Sequence, residues 1–125
     1  MVITKRSRDI ASSKVHVLRF REVNRDIFNA IKSGKKRVET RAATIRFHTI
    51  QPGDTIRMVC GKDAFEKRVK SAETFKTISA LFEKHDIKDL NPFADSREDM
   101  EKMYFSFPGY REKIRRYGLI AFEFK

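Results

Sequence analysis

Alternating apolar and polar residues predict five strands, the first and last of which lie near the two ends of the chain. In the segment VHVLRF of residues 15–20, successive side chains would point to opposite faces of a sheet. The same pattern, bounded by turn residues, predicts strands over 15–20, 36–41, 55–60, 65–75 and 118–124. Pro52 and Gly53 suit the second and third positions of a type II turn before the third strand. Because the end strands have to pair with distant segments, the pattern favours a barrel.

Apolar residues at helical spacing predict short helices between these strands. Asn24 occupies the N-cap position of the first helix, and Gly34 stands where a residue in the left-handed conformation would end it. Thr77 and Ser96 take the N-cap position of two later helices, and residues 110–117 add one or two turns. The predicted fold class is therefore α+β, a β-barrel of about five to six strands with flanking helices.

The length of 125 residues suits one domain, and a hydrophobic content of 40% supports one packed core. We expect the domain to span residues 14–125, after a flexible basic arm over 1–13 that either touches RNA or is a frayed terminus. The single cysteine, Cys60, excludes an internal disulfide and favours a reducing, cytoplasmic compartment. No apolar run approaches the roughly 20 residues that span a bilayer, and the opening segment lacks the apolar stretch of a secretory signal.

The formal net charge of +11 is concentrated at the two ends of the chain. Residues 1–41 carry 12 Lys and Arg against 4 Asp and Glu, whereas residues 77–103 are net acidic. Such a field attracts polyanions, of which nucleic acids are the commonest and acidic membrane surfaces the second, although a solvated surface is the simpler interpretation. The expected partner is RNA or a nucleotide-like ligand. The histidines and Cys60 lack the spacing of a metal site, so no metal ion is expected. No cofactor and no membrane contact are expected either, and the protein is assumed to be a monomer.

The densest basic run lies at residues 32–41, KSGKKRVETR. If this run is a regular strand, one of its faces carries the charged side chains Lys35, Arg37, Glu39 and Arg41. Lys36 and Thr40 would then share the other face. Glu39 is either a local counter-ion for the arginines or part of a site in which guanidinium groups and a carboxylate hold a phosphate and a base edge. The residues alone leave both interpretations open.

Three segments together resemble the ASCH family, the activating signal cointegrator homology domains of the PUA-like superfamily. They are HVLRF…NRDIFNAIKSGKKRVETR, the Pro-Gly-Asp turn, and the closing SFPGYREKIRRYGLIAFEF, which together reach from about Val15 to Lys125. The resemblance implies a PUA-like β-barrel with a cleft beside the first helix, used mainly for RNA and modified nucleotides.

The resemblance also implies an alternative function, catalysis in the same cleft. Some ASCH members are similar to amidohydrolases acting on acylated cytidine and others to ribonucleases, and in both a lysine of the GKK-like motif is implicated, which corresponds to Lys36. The nucleophilic threonine of the amidohydrolase pattern falls at Glu39, and Thr40 would point to the opposite face of a strand. Lys36 could act as a base and Glu39 as an acid or base, but only if an irregular backbone brings them together. Binding is therefore favoured over catalysis.

Eight basic residues are the candidates for contact with nucleic acid: Arg19, Arg21, Lys35, Lys36, Arg37, Arg41, Arg111 and Arg115. Tyr110 could stack a base, but its helical spacing favours the core. A deep basic pocket with Lys36 near a carboxylate would favour an enzyme, and a shallow basic groove would favour binding. A large exposed apolar patch would favour a third function, a protein-interaction module in transcription or translation.

Overall fold

The computed structural model describes residues 13–125, which form a five-stranded sheet curled into a half-barrel with helices around it. The strands are β1 Val15–Phe20, β2 Val38–Ala42, β3 Thr55–Cys60, β4 Asp63–Phe75 and β5 Leu119–Phe124. Their order across the sheet is β1-β3-β4-β5-β2, so β1 and β2 are the edge strands. Only the β1–β3 pair is parallel among these pairings. The predicted α+β barrel is confirmed, and the last strand pairs with two earlier ones.

Strand β4 allows the sheet to curl, because its two halves have different partners. Its first half pairs with β3 and its second half with β5, and the register shifts between Val69 and Ser71. A register shift of this kind bends a strand and increases its twist. The two edge strands are thereby turned toward one another. Most of the predicted basic arm lies outside the described residues.

Six α-helices connect the strands within residues 13–125. They are α1 Arg25–Ser33, α2 Ile45–His48, α3 Ile78–Lys84, α4 Ile87–Leu90, α5 Arg97–Ser106 and α6 Tyr110–Tyr117. The predicted caps of α3 and α5 are confirmed, since Thr77 accepts a hydrogen bond from the Ala80 amide and Ser96 from the Asp99 amide. Asn24 occupies the N-cap position of α1 and is also the last residue of a 3₁₀ turn, Glu22–Asn24, but its side chain makes no capping hydrogen bond. None of these helices is long and apolar enough to cross a membrane.

Successive residues of β5 pack into two different cores, one on each face of the sheet. Ile120 and Phe122 face the half-barrel interior, where α1 contributes Phe28. Leu119 and Ala121 face the layer formed by α3, α5 and α6, which contributes residues such as Tyr104. Each fully buried leucine, isoleucine or phenylalanine stabilises the fold by about 1.5–3 kcal/mol relative to an exposed one. Because both faces of β5 are covered, this strand is the centre of the packed structure.

The basic segment differs from the sequence prediction. The second strand begins at Val38, so Lys35, Lys36 and Arg37 form an irregular connection instead of an alternating strand. Gly34 ends α1 in the left-handed conformation with φ 86°, as predicted. The Lys36 amide then donates to Ala30 O at 2.9 Å, and the Arg37 amide donates to Asp89 O at 3.1 Å. These bonds engage the Lys36 and Arg37 amides outside the sheet, so the expected alternation does not apply before Val38.

The turn before β3 is confirmed. Gly53 has φ 92°, and the Asp54 amide donates to Gln51 O at 3.1 Å, which is the hydrogen bond of a type II turn. A second glycine, Gly118, is required for packing: a Cβ there would lie 2.4 Å from Phe75 O. Gly118 therefore lets the chain pass close to the end of β4 as it leaves α6 and enters β5.

Candidate functional site

A cavity of about 420 Å³ opens where the two edge strands of the half-barrel approach each other. Its walls come from the end of β1, the start of α1, strand β2, the end of α4, and the junction between α5 and α6. Arg41 of β2 shows how close the edges are, because its guanidinium lies 5.2 Å from the ring centroid of Phe20 at the end of β1. The volume falls within the usual range for small-molecule sites, roughly 300–1,000 Å³.

Lys36 lies at the floor of this cavity and is 4% exposed. Its ammonium donates to Val38 O at 2.6 Å and to Leu90 O, and it lies 3.4 Å from Glu39 Oε1. Burial lowers the pKa of Lys36, and the Glu39 carboxylate acts in the opposite direction. The three N–H groups of the ammonium thus face three acceptors. The expected direct contact between Lys36 and phosphate does not fit this geometry, because no N–H remains for a ligand.

Glu39 is the buried counter-ion of two cations. Its Oε1 accepts the Thr40 amide at 3.0 Å, and its Oε2 lies 3.2 Å from the Arg41 guanidinium. Burial by itself would raise the pKa of Glu39, but Lys36, Arg41 and the Thr40 amide together hold that pKa below its ordinary value. Lys36 and Glu39 meet because Lys36 precedes the strand, where the backbone is irregular. The sequence had indicated that Lys36 and Glu39 could interact only if the backbone was irregular, and this is the case.

Thr40 and Tyr104 form the opposite wall. The register places Glu39 beside Phe122 and Thr40 beside Ala121, so the two side chains do face opposite sides of the sheet. Thr40 Oγ1 lies 2.5 Å from the Tyr104 hydroxyl on α5, and burial raises the pKa of Tyr104. Both Glu39 and Thr40 nevertheless border the cavity. Since β2 is an edge strand, a cavity beside it can contact side chains from both faces.

Arg19 and Arg21 lie at the mouth of the cavity and are exposed. Neither guanidinium makes a hydrogen bond or ion pair with another residue of 13–125. Asn91, which is buried on the opposite wall, accepts the Phe93 amide through Oδ1. Within residues 13–125, the hydrogen-bond partner of its amide nitrogen is the Met103 sulfur at 3.5 Å. A thioether is a weak acceptor, so the Asn91 amide can donate to a ligand. The mouth therefore offers positive charge, and the wall offers a directional donor.

The other predicted basic residues do not converge on the cavity. The Lys35 ammonium lies 6.0 Å from the Phe93 ring centroid. Arg111 lies 3.9 Å from the ring centroid of Phe105, and Arg115 makes a two-point ion pair with Glu112. Of the eight candidates, those that border the cavity are Arg19, Arg21, Lys36 and Arg41.

Several cavity residues were not identified from the sequence as site residues. Tyr104 was not among the sequence candidates, and Asn91 follows α4, a helix that the sequence pattern did not predict. Tyr110 is half-buried as expected, yet its hydroxyl accepts the Ala42 amide and its ring borders the cavity. The sequence signal for Tyr104 was a tyrosine among apolar residues at helical spacing, since a buried hydroxyl requires a hydrogen-bond partner. Across residues 13–125, no group of three or more His, Cys, Asp or Glu side chains is placed to hold a metal ion.

Two solved structures share this fold over most of their length. The crystal structure of hypothetical protein PH0355 matches with a TM-score of 0.76 and 28% sequence identity, covering 90% of this chain and 97% of that one. The solution NMR structure of protein PF0455 from Pyrococcus furiosus matches with a TM-score of 0.70 and 27% identity, covering 89% and 96%. Neither of these names states an activity. No family model matches the sequence, and no curated protein matches it significantly.

Proposed function

We propose that this chain is an ASCH-type module whose cavity binds one nucleotide, either free or as part of an RNA. The observation that carries the proposal is the pair Arg19 and Arg21: two exposed guanidinium groups without an anionic partner among residues 13–125, at the mouth of a cavity of about 420 Å³. Guanidinium groups bind phosphate through parallel hydrogen bonds. The base would occupy the cavity and its phosphate would lie at the mouth.

The cavity walls suit a base more than a second charged group. Phe20, Phe107 and Tyr110 supply aromatic surface, and stacking on such side chains is the common way in which proteins hold an unpaired base. Asn91 supplies a donor that could distinguish one base edge from another. The remaining polar groups of the floor, Lys36 and Glu39, are bonded mainly to each other and to the backbone. They stiffen the floor and leave the mouth to bind the ligand.

A comparison of a nucleoside 5′-monophosphate with the corresponding nucleoside tests this assignment. The double variant Arg19→Gln/Arg21→Gln should weaken monophosphate binding at least about tenfold, because a hydrogen bond between charged groups contributes roughly 1.5–3 kcal/mol. Its nucleoside affinity should change less than twofold. Calorimetric titration measures both. The control Lys76→Gln/Arg116→Gln removes the same charge from exposed positions outside the cavity lining. Equal losses in the two double variants, or a wild-type protein that binds neither ligand, would refute the assignment.

The near-isosteric Asn91→Asp variant tests the position of the base. It keeps the acceptor for the Phe93 amide and replaces the free donor by an acceptor. The order of preference among the four mononucleotides should therefore change, whereas a residue that contacted only phosphate would weaken all four alike. An unchanged order of preference would place the base elsewhere.

A hydrolase acting on RNA or an acylated cytidine is the second candidate. It is favoured by the 3.4 Å contact between Lys36 and Glu39 at the cavity floor and by the lowered pKa of Lys36. The hydrogen bonds from Lys36 to two carbonyl groups oppose it, because they occupy the amine that a base would use. If Lys36 is catalytic, Lys36→Ala should abolish turnover of these substrates while ligand affinity stays within a small factor. Equal loss in Lys35→Ala, or no turnover by the wild-type protein, excludes this role.

A further inference from the structure

The outward face of strands β1, β3 and β4 is a surface that no helix of the described residues covers. The register aligns three rows of residues across these strands: Val15–Thr55–Arg68, Val17–Arg57–Glu66 and Arg19–Val59–Ala64. The intervening residues, such as Leu18 and Met58, are buried inside the half-barrel, so these rows must point outward. All nine side chains are exposed or partly exposed, and Val15 is 61% exposed. Among residues 13–125, therefore, no element packs over this face.

Three arginines cross this face on a diagonal that starts at the cavity. Arg19 of β1 stands in the row nearest the cavity mouth, and Arg57 of β3 stands in the middle row. Arg68 of β4 stands in the row farthest from the mouth. Neighbouring strands are about 4.8 Å apart and residues on one face of a strand about 6.8 Å apart, so each step along the diagonal covers roughly 8 Å. The diagonal is thus continuous with the proposed phosphate site at the mouth.

The charges of these arginines are available to a ligand. Neither Arg19 nor Arg68 makes a side-chain hydrogen bond or ion pair with another described residue. Arg57 lies 3.6 Å from Glu66, but both side chains are about half exposed. An exposed pair of this kind contributes little to stability, so a phosphate can replace Glu66 at small cost. The other residues of the face are mainly small and aliphatic, which leaves space for a chain between the arginines.

We propose that a single RNA strand with one nucleotide in the cavity continues across this face, with its phosphates on Arg57 and Arg68. The inference rests on the proposed function, since it needs the cavity to hold a nucleotide. A single strand fits better than a duplex, because a paired nucleotide would have to be unstacked and rotated out before it could enter the cavity. Charge favours RNA over a protein partner: the face carries three cations and one anion, and its aliphatic residues are small and scattered.

Two ligands distinguish binding on the face from binding in the cavity. A nucleoside 5′-monophosphate reaches only the cavity, and an RNA decanucleotide reaches both. The double variant Arg57→Gln/Arg68→Gln should leave monophosphate affinity within twofold. Decanucleotide affinity should fall about 25-fold at 0.1 M salt, and the slope of log K against log[salt] should become shallower by about 1.4, since each phosphate contact on a single strand contributes about 0.7. The control Lys76→Gln/Arg116→Gln should change that slope by less than half as much.

Glu66→Gln is a second test, and it predicts a gain in decanucleotide affinity. Damage to the fold would lower that affinity instead. Removing the carboxylate frees Arg57, so decanucleotide affinity should rise a few-fold while monophosphate affinity is unchanged. If both face variants bind the decanucleotide like the wild type and the monophosphate still binds, the inference fails and the proposed function stands. A wild-type protein that does not bind the monophosphate overturns both.

Discussion

Glu39 and Asp54 are both buried carboxylates with lowered pKa values, but they belong to different kinds of structure. Asp54 lies just before β3, where it accepts hydrogen bonds from the Lys14 amide, the Gln51 amide and the His16 ring. Burial would raise its pKa, and these donors hold it below its ordinary value. Glu39 lies within β2 and is held by the cations Lys36 and Arg41 at the edge of a cavity. Asp54 does not border this cavity.

The difference shows that burial and a lowered carboxylate pKa do not by themselves identify a site. The donors around Asp54 come from two segments, so this residue joins the start of β1 to the turn before β3. The groups around Glu39 hold a cavity floor in place, and Arg19 and Arg21 lie nearby without anionic partners in residues 13–125. The combination of a cavity, a rigid charged floor and available cations distinguishes the region around Glu39 from the region around Asp54.

The largest expected effect is the loss of stability in Glu39→Gln. This variant leaves the buried ammonium of Lys36 without its carboxylate, and breaking a buried pair in this way costs about 3–5 kcal/mol. Asp54→Asn should cost less, about 1–3 kcal/mol, since most of its donors are neutral groups. Denaturant unfolding at neutral pH measures both. Equal losses would mean that Glu39 and Asp54 play the same structural role, and a larger loss in Asp54→Asn would contradict the expected order.

The pH dependence of Glu39→Gln sharpens this comparison. The pKa of Lys36 in the folded protein lies below its unfolded value, so between the two values the unfolded chain binds more protons and stability rises with pH. Loss of the Glu39 carboxylate lowers the folded-state pKa of Lys36 further, and the pH range over which stability rises becomes wider. Glu39→Gln should therefore regain stability relative to the wild type as the pH rises toward the ordinary lysine pKa of about 10.4. Asp54→Asn should show no such recovery.

The sequence predicted the scaffold better than the cavity, for a physical reason. Strand alternation, the N-caps Thr77 and Ser96, and the turn at Pro52 and Gly53 are local features. Each was found where it was predicted, except at the start of the second strand. The cavity depends on contacts between residues far apart in sequence, such as Lys36 with Leu90 O. No local pattern encodes a contact of that kind.

The basic segment shows the same limit. The structure brings Lys36, Glu39 and Arg41 of this segment together, but the predicted regular alternation was wrong. Hydrogen bonds to Ala30 O and to the distant Asp89 O govern the backbone at Lys36 and Arg37. The short helix α4 contributes one of those bonds through Asp89, and four residues are too few for a periodic signal. The unpredicted part of the site is thus the part assembled by tertiary contacts.

An intermediate effect is expected for Asp54 in acid. Its folded-state pKa is lowered, so its contribution to stability is complete above the ordinary aspartate pKa of about 3.9 and is lost as the pH falls from there through the folded-state value. Asp54→Asn lacks this titration. The stability difference between the wild type and Asp54→Asn should therefore shrink on acidification from pH 5 to pH 2. A difference that stays constant would show that the Asp54 charge does not stabilise the fold.

The smallest expected effect concerns Arg111 and Arg115, which the sequence placed among the RNA contacts. Arg111 lies over the Phe105 ring and Arg115 is paired with Glu112, and neither borders the cavity. Replacing both by Gln should change monophosphate affinity less than twofold and the RNA salt slope by much less than the 1.4 expected for two phosphate contacts. Arg19→Gln/Arg21→Gln, measured in the same titrations, is the positive reference. If the α6 variant instead weakens RNA binding as strongly as that reference, the RNA surface extends over α6, and the cavity mouth is one part of a broader basic face.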